Sequence, residues 1–544
     1  MKNALLIGLF TLLFNLEIQS HEFPYKPPKP ITLMEGLGNL HHPVTTKSPE
    51  AQRFFDQGLT LIYAFNHDFA YWSFQRAAEL DPNMAMAYWG MALAIGPNIN
   101  MDITPDREKK AYELIQKALT LTDDITENEK DYIKALSARY SSAANPDLKQ
   151  LAIDYNKAME EVVKNYPYDW DAAVLYAESG LDINPWHQWT PDGDPLKGIL
   201  EIVSLLENVL KWEPNHLGAN HYYIHAIEAS RYPERALISA QRLRKMLPAA
   251  GHILHMPSHI YLLVGDYHTA AECNIEAIKA DQAYIDNFGM VGIYPVHYMT
   301  HNMYFLSRAY ALEGRYEDAK KAAEQLRRFY TPHFSSFPDM EYYETSTMFI
   351  MLRFHRWKEL LDLSAPSEKM VVSTALWHFG RAMAYTALND RTNAEHEKNI
   401  FLESKAKIPL STVYGYNKAA PIFEIAEYQL NAKIAEVEGD SALALDSLGK
   451  AIDVQDELYY NEPPDWYFPI RESLGGLMLR NEQYSEAEIV FNADLEKHPR
   501  NGRSLFGLWK SLDGQSKPTD AFWIKREFED AWKYSDTPLT INDL

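Results

Sequence analysis

Residues 51–84 read AQRFFDQGLTLIYAFNHDFAYWSFQRAAELDPNM. Counted from Ala51, Gly58, Leu61, Ala70, Phe74, Ala77 and Pro82 fall at positions 8, 11, 20, 24, 27 and 32. Small residues at 8 and 20 let two antiparallel helices approach closely, a turn near positions 15–17 joins them, and proline at 32 stops the second. The same pattern returns from Phe468. There Gly475, Met478, Ala487, Phe491 and Pro499 occupy 8, 11, 20, 24 and 32, with Tyr484 at 17, and only Asp494 departs from the expected alanine at 27.

Between these two units the pattern is looser but recurrent. Arg231-Tyr232-Pro233 precedes Ala236 and ends at Pro248. Gly265-Asp266-Tyr267 precedes Ala270 and Ala277, Gly314-Arg315-Tyr316 precedes Ala319, and Gly439-Asp440 precedes Ala444 and Ala451. The chain thus resembles the tetratricopeptide-repeat (TPR) family along most of its length. That resemblance implies an all-α, TPR-like α-solenoid: helix pairs stacked in a right-handed superhelix, first helices lining the concave face, with binding as the usual activity. The clearest repeats span 51–84, 217–250, 251–284, 300–333, 425–458 and 468–501 within one continuous solenoid over 36–544, of roughly eight to ten helix pairs. Three stretches interrupt the period: Gly96 to Asp106, Asn184 to Pro195 and Thr331 to Asp339. Insertions in a solenoid emerge at one edge, often the binding edge. Trp186, His187 and Trp189 in the second are therefore candidates for a lid over the groove, or for a plug in a packing gap.

Residues 1–20 read as a signal peptide. Lys2 is the charged start, and Ala4 to Phe14 form an apolar core too short to span a bilayer. Residues 21–35, with Pro24, Pro27, Pro28 and Pro30, read as an extended lead-in. An exported protein, periplasmic or secreted, is expected, with no integral membrane segment after cleavage. The segments GNLHHPVTT, FNHDFA, AMAYWGMALAIGPNIN and HMPSHIY are similar to a group of exported bacterial TPR proteins without an assigned activity. The net charge of −23 repels a phosphate backbone and no basic run relieves it, so nucleic acid is not an expected partner. One cysteine, Cys273, permits neither an internal disulfide nor a thiolate metal cage. GxGxxG, Walker A, GxSxG and HExxH motifs are all absent.

The chemistry lies in the histidines. His221 and His225 fall at positions 5 and 9 of one repeat. His252, His255 and His259 fall at 2, 5 and 9 of the next, and His301 at 2 of the one after. Positions 2, 5 and 9 face the groove in TPR domains, so six histidines are expected in one cavity. Pairs four residues apart are helix neighbours, about 5–6 Å between Cβ atoms, and can share a metal ion. His221 and His255 hold the same position in successive repeats, which makes His221, His225, His255 and His259 a candidate metal set. Imidazole donors suit Zn, Cu, Fe or Ni. Glu228 and Glu272 are candidate carboxylate neighbours. Pro257, at position 7, either kinks the helix bearing three of these histidines or starts it. His41 and His42 are placed to reach the groove mouth, and His67, at a turn position, reads as packing. Three functions remain open: a scaffold for a protein or peptide partner that also holds Zn, Cu or Fe, a metal-dependent enzyme using the same cluster, and a metal-free peptide-binding adaptor.

Overall fold

The computed structural model describes residues 26–290 and 292–544. The signal-peptide reading of residues 1–20 lies outside them. Among the described residues, helices pair in twelve successive antiparallel hairpins, from Pro49–Tyr63 with His67–Leu80 to Gly502–Gly514 with Pro518–Ala531. The architecture is the TPR-like α-solenoid that the period implies. The pairs outnumber the eight to ten expected because some are too short or too interrupted to show a 34-residue period. The pair Ser346–Arg353 with Trp357–Asp362 is the shortest of these.

Packing between pairs follows from position 24. The Phe74 ring wedges between Gly58 on one side and Gly90 on the other; a Cβ on either glycine would lie 2.6 or 2.4 Å from it. Far along the chain Phe491 wedges between Gly475 and Gly507 in the same way, at 2.5 and 2.1 Å. Each phenylalanine stands sixteen residues from both of its glycines. The contact that sets the spacing of the first two repeats is thus repeated near the last. Side-chain caps start the helices: Ser48 accepts from the Ala51 amide, Asp266 from Thr269 and Asp440 from Leu443.

The solenoid curls until its end meets its middle. The Tyr267 hydroxyl donates to the Pro499 carbonyl at 2.8 Å, Tyr534 stacks on His268 at 4.1 Å, and the Tyr316 amide donates to Asp536 at 2.8 Å. Gly265 makes this closure possible. Its φ is +80°, and a Cβ there would lie 2.1 Å from the Pro499 carbonyl oxygen. A long insert between the Ser441–Asp456 and Ile470–Arg480 helices then fills the inside of the curl. Trp466 and Tyr467 are each 1% exposed there, with Tyr467 bonded to the Ser307 hydroxyl at 2.7 Å. The groove expected to be open is occupied by the chain itself. The described part of the lead-in is also held, through Lys29 to the Asn287 carbonyl at 2.7 Å and the Met34 amide to Gln57 at 2.7 Å.

His67 is a packing residue. Its Nδ1–H donates to the Ala94 carbonyl at 3.2 Å, and Nε2 accepts from the Asn98 amide at 3.3 Å. Burial, reinforced by the charge of Arg107, pushes its pKa down to about 3. The unfolded chain therefore binds a proton that the folded site refuses. The stability from His67 is complete above about pH 6.5 and is lost as pH falls toward 3. Between pH 6.5 and 5 it amounts to roughly 2 kcal/mol. Urea melts of the protein and its His67→Gln variant should show a gap that closes over this range. A second expectation tests the wedge: Gly475→Val should cost about 1–3 kcal/mol by overpacking, read as a lower urea midpoint at unchanged slope.

Candidate metal centre

The six groove-position histidines converge, and they do so as two triads. His221, His225 and His252 present nitrogens within 4.8 Å of one another, and so do His255, His259 and His301. In repeat terms the two triads are the same object: positions 5 and 9 of one first helix plus position 2 of the next. His221 and His255, expected to share one ion, lie in different triads. His252 and His301 complete the sets. Five of the six side chains belong to residues no more than 4% exposed, and His301 is half-buried.

Pro257 does not spoil the geometry. Gly251–His255 and Pro257–Leu263 join through Met256 at φ −49°, ψ −38°, so the path stays helical. Proline sits at the first position of the second segment, where its missing N–H costs least. His255 and His259 keep their i, i+4 relation, with Nε2 atoms 2.7 Å apart.

What surrounds the rings decides their protonation. His221 Nδ1 faces the Tyr63 carbonyl at 2.6 Å, and His225 Nδ1 faces Glu228 at 2.8 Å. His255 Nδ1 faces the Asn274 side-chain oxygen at 2.7 Å; Asn274 is oriented by its own amide, which donates to the Ala270 carbonyl at 2.8 Å. His259 Nδ1 faces Glu228 at 2.6 Å and also pairs with Glu462. All these partners are acceptors, so the Nδ1 of each of these four rings carries a proton and leaves Nε2 free to accept, while His252 Nδ1 has no partner and does not fix its ring's tautomer. Yet the Nε2 atoms face one another: 3.1 Å from His221 to His225, 3.1 Å from His252 to His221, and 2.7 Å from His255 to His259. Nitrogens that share a tetrahedral ion at about 2.05 Å stand roughly 3.3 Å apart.

The two triads differ electrically. Burial, and then the neighbouring histidines, push His221 and His252 well below the usual imidazole range and His225 to about 3. In the second triad burial also lowers His255 and His301, but His259 goes the other way. Its burial is overruled by Glu462 and Glu228, which lift it to about 10. Glu462 is itself raised to about 8, first by burial and then by Glu228. Without metal, His259 can therefore hold a proton on Nε2 and donate it to His255. In the first triad His252, whose Nδ1 has no partner, can carry its proton on Nε2 and donate to His221, but His221 and His225, both committed at Nδ1, still face each other at 3.1 Å.

Glu228 is the link between the triads. One oxygen holds His225 and the other His259, while the Tyr460 hydroxyl, 2.7 Å from Glu462, closes the outer ring at 3.2 Å from Glu228. Glu272, the other expected carboxylate, is instead at the surface, paired with Arg244 at 3.0 Å. Each triad has an aromatic wall. Phe65 lies 4.6, 5.7 and 5.2 Å from the rings of His221, His225 and His252. Phe305 lies 4.6, 4.7 and 4.9 Å from those of His255, His259 and His301. Trp186 meets the His225 ring edge-on at 5.6 Å and stacks on Tyr416 at 5.1 Å. Trp189 plugs the same side, its indole N–H donating to the Ala226 carbonyl at 3.0 Å, and His187 points outward against Tyr459.

The remaining histidines stand apart. His42 bonds Asp171 at 2.7 Å, where His216 at 3.2 Å and the Tyr63 hydroxyl at 2.6 Å also converge, beside a surface cleft of 1470 Å³. The oxygens of Asp171 are already engaged, so this cluster reads as a latch for the segment just before the first helix. Cys273 is buried and its thiol is pushed up to about 12, first by burial.

No protein-family model matches the chain, and no curated protein matches it. Solved structures with an overall likeness include the human IFIT1 dimer with m7Gppp-AAAA, at 12% identity, TM-score 0.33, over 91% of this chain and 92% of that one. The Cut9–Hcn1 complex aligns at 12% identity and TM-score 0.29 over 89% and 74%, and yeast Tom70 at 11% and 0.30 over 88% and 90%. At these values the likeness carries no functional argument.

The contrast between the triads is measurable by histidine NMR on metal-free protein. His259 should remain protonated at pH 8, and Glu462→Gln should lower its midpoint by about one unit or more.

Proposed function

We propose that this protein is an exported helical-repeat scaffold built around a two-ion transition-metal centre, each ion held by three histidines. The observation that carries the reading is the confrontation of bare Nε2 atoms, fixed by acceptors at Nδ1, in the first triad. Lone pairs at this distance repel unless a cation lies among them, and the pKa values there oppose a proton. Nδ1–H bonds to carbonyl and carboxylate are also the usual outer partners of metal-ligating histidine. Zn, Cu and Fe fit an all-imidazole set. Export is supported by the signal-like character of residues 1–20. Among the described residues no helix is long and apolar enough to cross a membrane.

A second reading, a metal-dependent enzyme, is favoured by the ligand number. Three protein ligands per ion leave a coordination position for water or substrate, as catalytic rather than structural sites do. A metal-free peptide adaptor is less supported, because five of the six histidines are buried and the insert carrying Trp466 fills the curl.

Elemental analysis by ICP-MS of tag-free protein tests the reading. Two ions per chain are expected, with one lost in His221→Ala and one in His255→Ala. Glu228→Gln should weaken uptake at both sites, by about 10–100-fold. Wild-type protein that is metal-free as purified and takes up no Zn, Cu or Fe at micromolar concentration would sink it.

A further inference from the structure

We propose, resting on the metal reading above, that the centre holds a pair of copper(I) ions that act together on dioxygen. The donors come first. Each triad supplies three imidazoles and neither includes a thiolate or carboxylate. Imidazole suits copper, and three such donors leave a copper(I) ion of low coordination number satisfied.

Charge is the second argument. The site is buried, and uncompensated charge in such a place is very costly. The carboxylates that touch the histidines are Glu228 and Glu462, both buried. These few acidic groups favour ions of low charge over a pair of divalent ones.

Position is the third. Rings of the two triads approach at 5.8 Å between His225 and His259 and at 6.0 Å between His252 and His255. Ions held by the two triads would therefore be neighbours, each with three side-chain ligands. Phe65 and Phe305 wall the space with apolar rings that suit an apolar diatomic. A cavity of 490 Å³ is lined by Trp186 and Tyr416, and the Trp186 ring separates it from His225, which it meets edge-on at 5.6 Å.

The step balances. Each copper(I) gives up one electron and dioxygen accepts both, leaving two copper(II) ions and a bridging dianion with the oxygen–oxygen single bond intact. No proton and no outside reductant is needed. The charge also stays matched, since the two added positive charges on copper meet the two negative charges on the bound dianion.

The experiment uses tag-free full-length protein stripped of metal and loaded without oxygen, either with copper(I) or with zinc(II). Bound metal is counted after gel filtration. Oxygen is then admitted to the copper sample, with uptake read by electrode and copper(II) by electron paramagnetic resonance. The expected result is two copper ions per chain, one dioxygen consumed per pair, and an oxidised sample nearly silent in resonance because the two spins couple. His301→Ala should keep the first triad's copper, lose the uptake, and on oxidation show the ordinary signal of an isolated ion. Copper that oxidises in wild type to the full isolated-ion signal would overturn the proposal, as would zinc filling both sites while copper(I) binds neither. In both of those cases the metal reading stands. Protein that binds neither metal overturns both.

Discussion

Four imidazole rings in the middle of this protein have one nitrogen already committed. The Tyr63 carbonyl, the Glu228 and Glu462 carboxylates and the Asn274 side-chain oxygen accept from His221, His225, His259 and His255. Their Nδ1 atoms thereby keep the proton, and the other nitrogens are left facing one another at close range in a buried space. Such an arrangement is unfavourable by itself and favourable around a cation. Most of the features nearby follow from keeping those rings in place: the outer carboxylates, the aromatic walls, and the insert that seals the curl.

The repeat delivers this centre economically. A helix pair repeated with a fixed offset brings positions 5 and 9 of one first helix against position 2 of the next. Doing so twice in succession gives two equivalent triads without any special loop. The Phe–Gly wedges at Phe74 and Phe491 and the close approach at Gly265 set the pitch and the closure. Closure then carries Tyr460 and Glu462, more than two hundred residues downstream of Glu228, to within hydrogen-bonding reach of it or of His259. Phe65 shows the local cost. It occupies position 15, a turn where other repeats use Gly265, Gly314 or Gly439, and it adopts φ +54°. A bulky residue in that region is strained by about 1–2 kcal/mol, which its packing on three histidines offsets.

Much of this was legible in the sequence. The period at Ala51 and Phe468 gives the helix pairs, and registering the histidines against it selects the six that meet. Their partition was not legible. Equal positions in successive repeats suggested His221 with His255, but the offset between neighbouring helices favours position 2 of the next repeat over position 5. The choice between Glu228 and Glu272 was equally hidden, since both follow the histidines in sequence and only tertiary packing turns one inward. The insert at Leu458 to Pro469 does carry a local signal, the run EPPDWYFP with its three prolines and three aromatics. Its destination depends on the curl of the whole solenoid, and no local pattern encodes that.

The central claim is that two ions sit on the Nε2 side of the two triads. The most direct measurement is a crystal structure of metal-loaded protein with anomalous scattering recorded at the metal's absorption edge. The account predicts two peaks, one within about 2.0–2.2 Å of Nε2 of His221, His225 and His252, the other equally near His255, His259 and His301. A single peak among Glu228, Glu462 and the Nδ1 atoms of His225 and His259, where the same rings could bind from their other side, would contradict it.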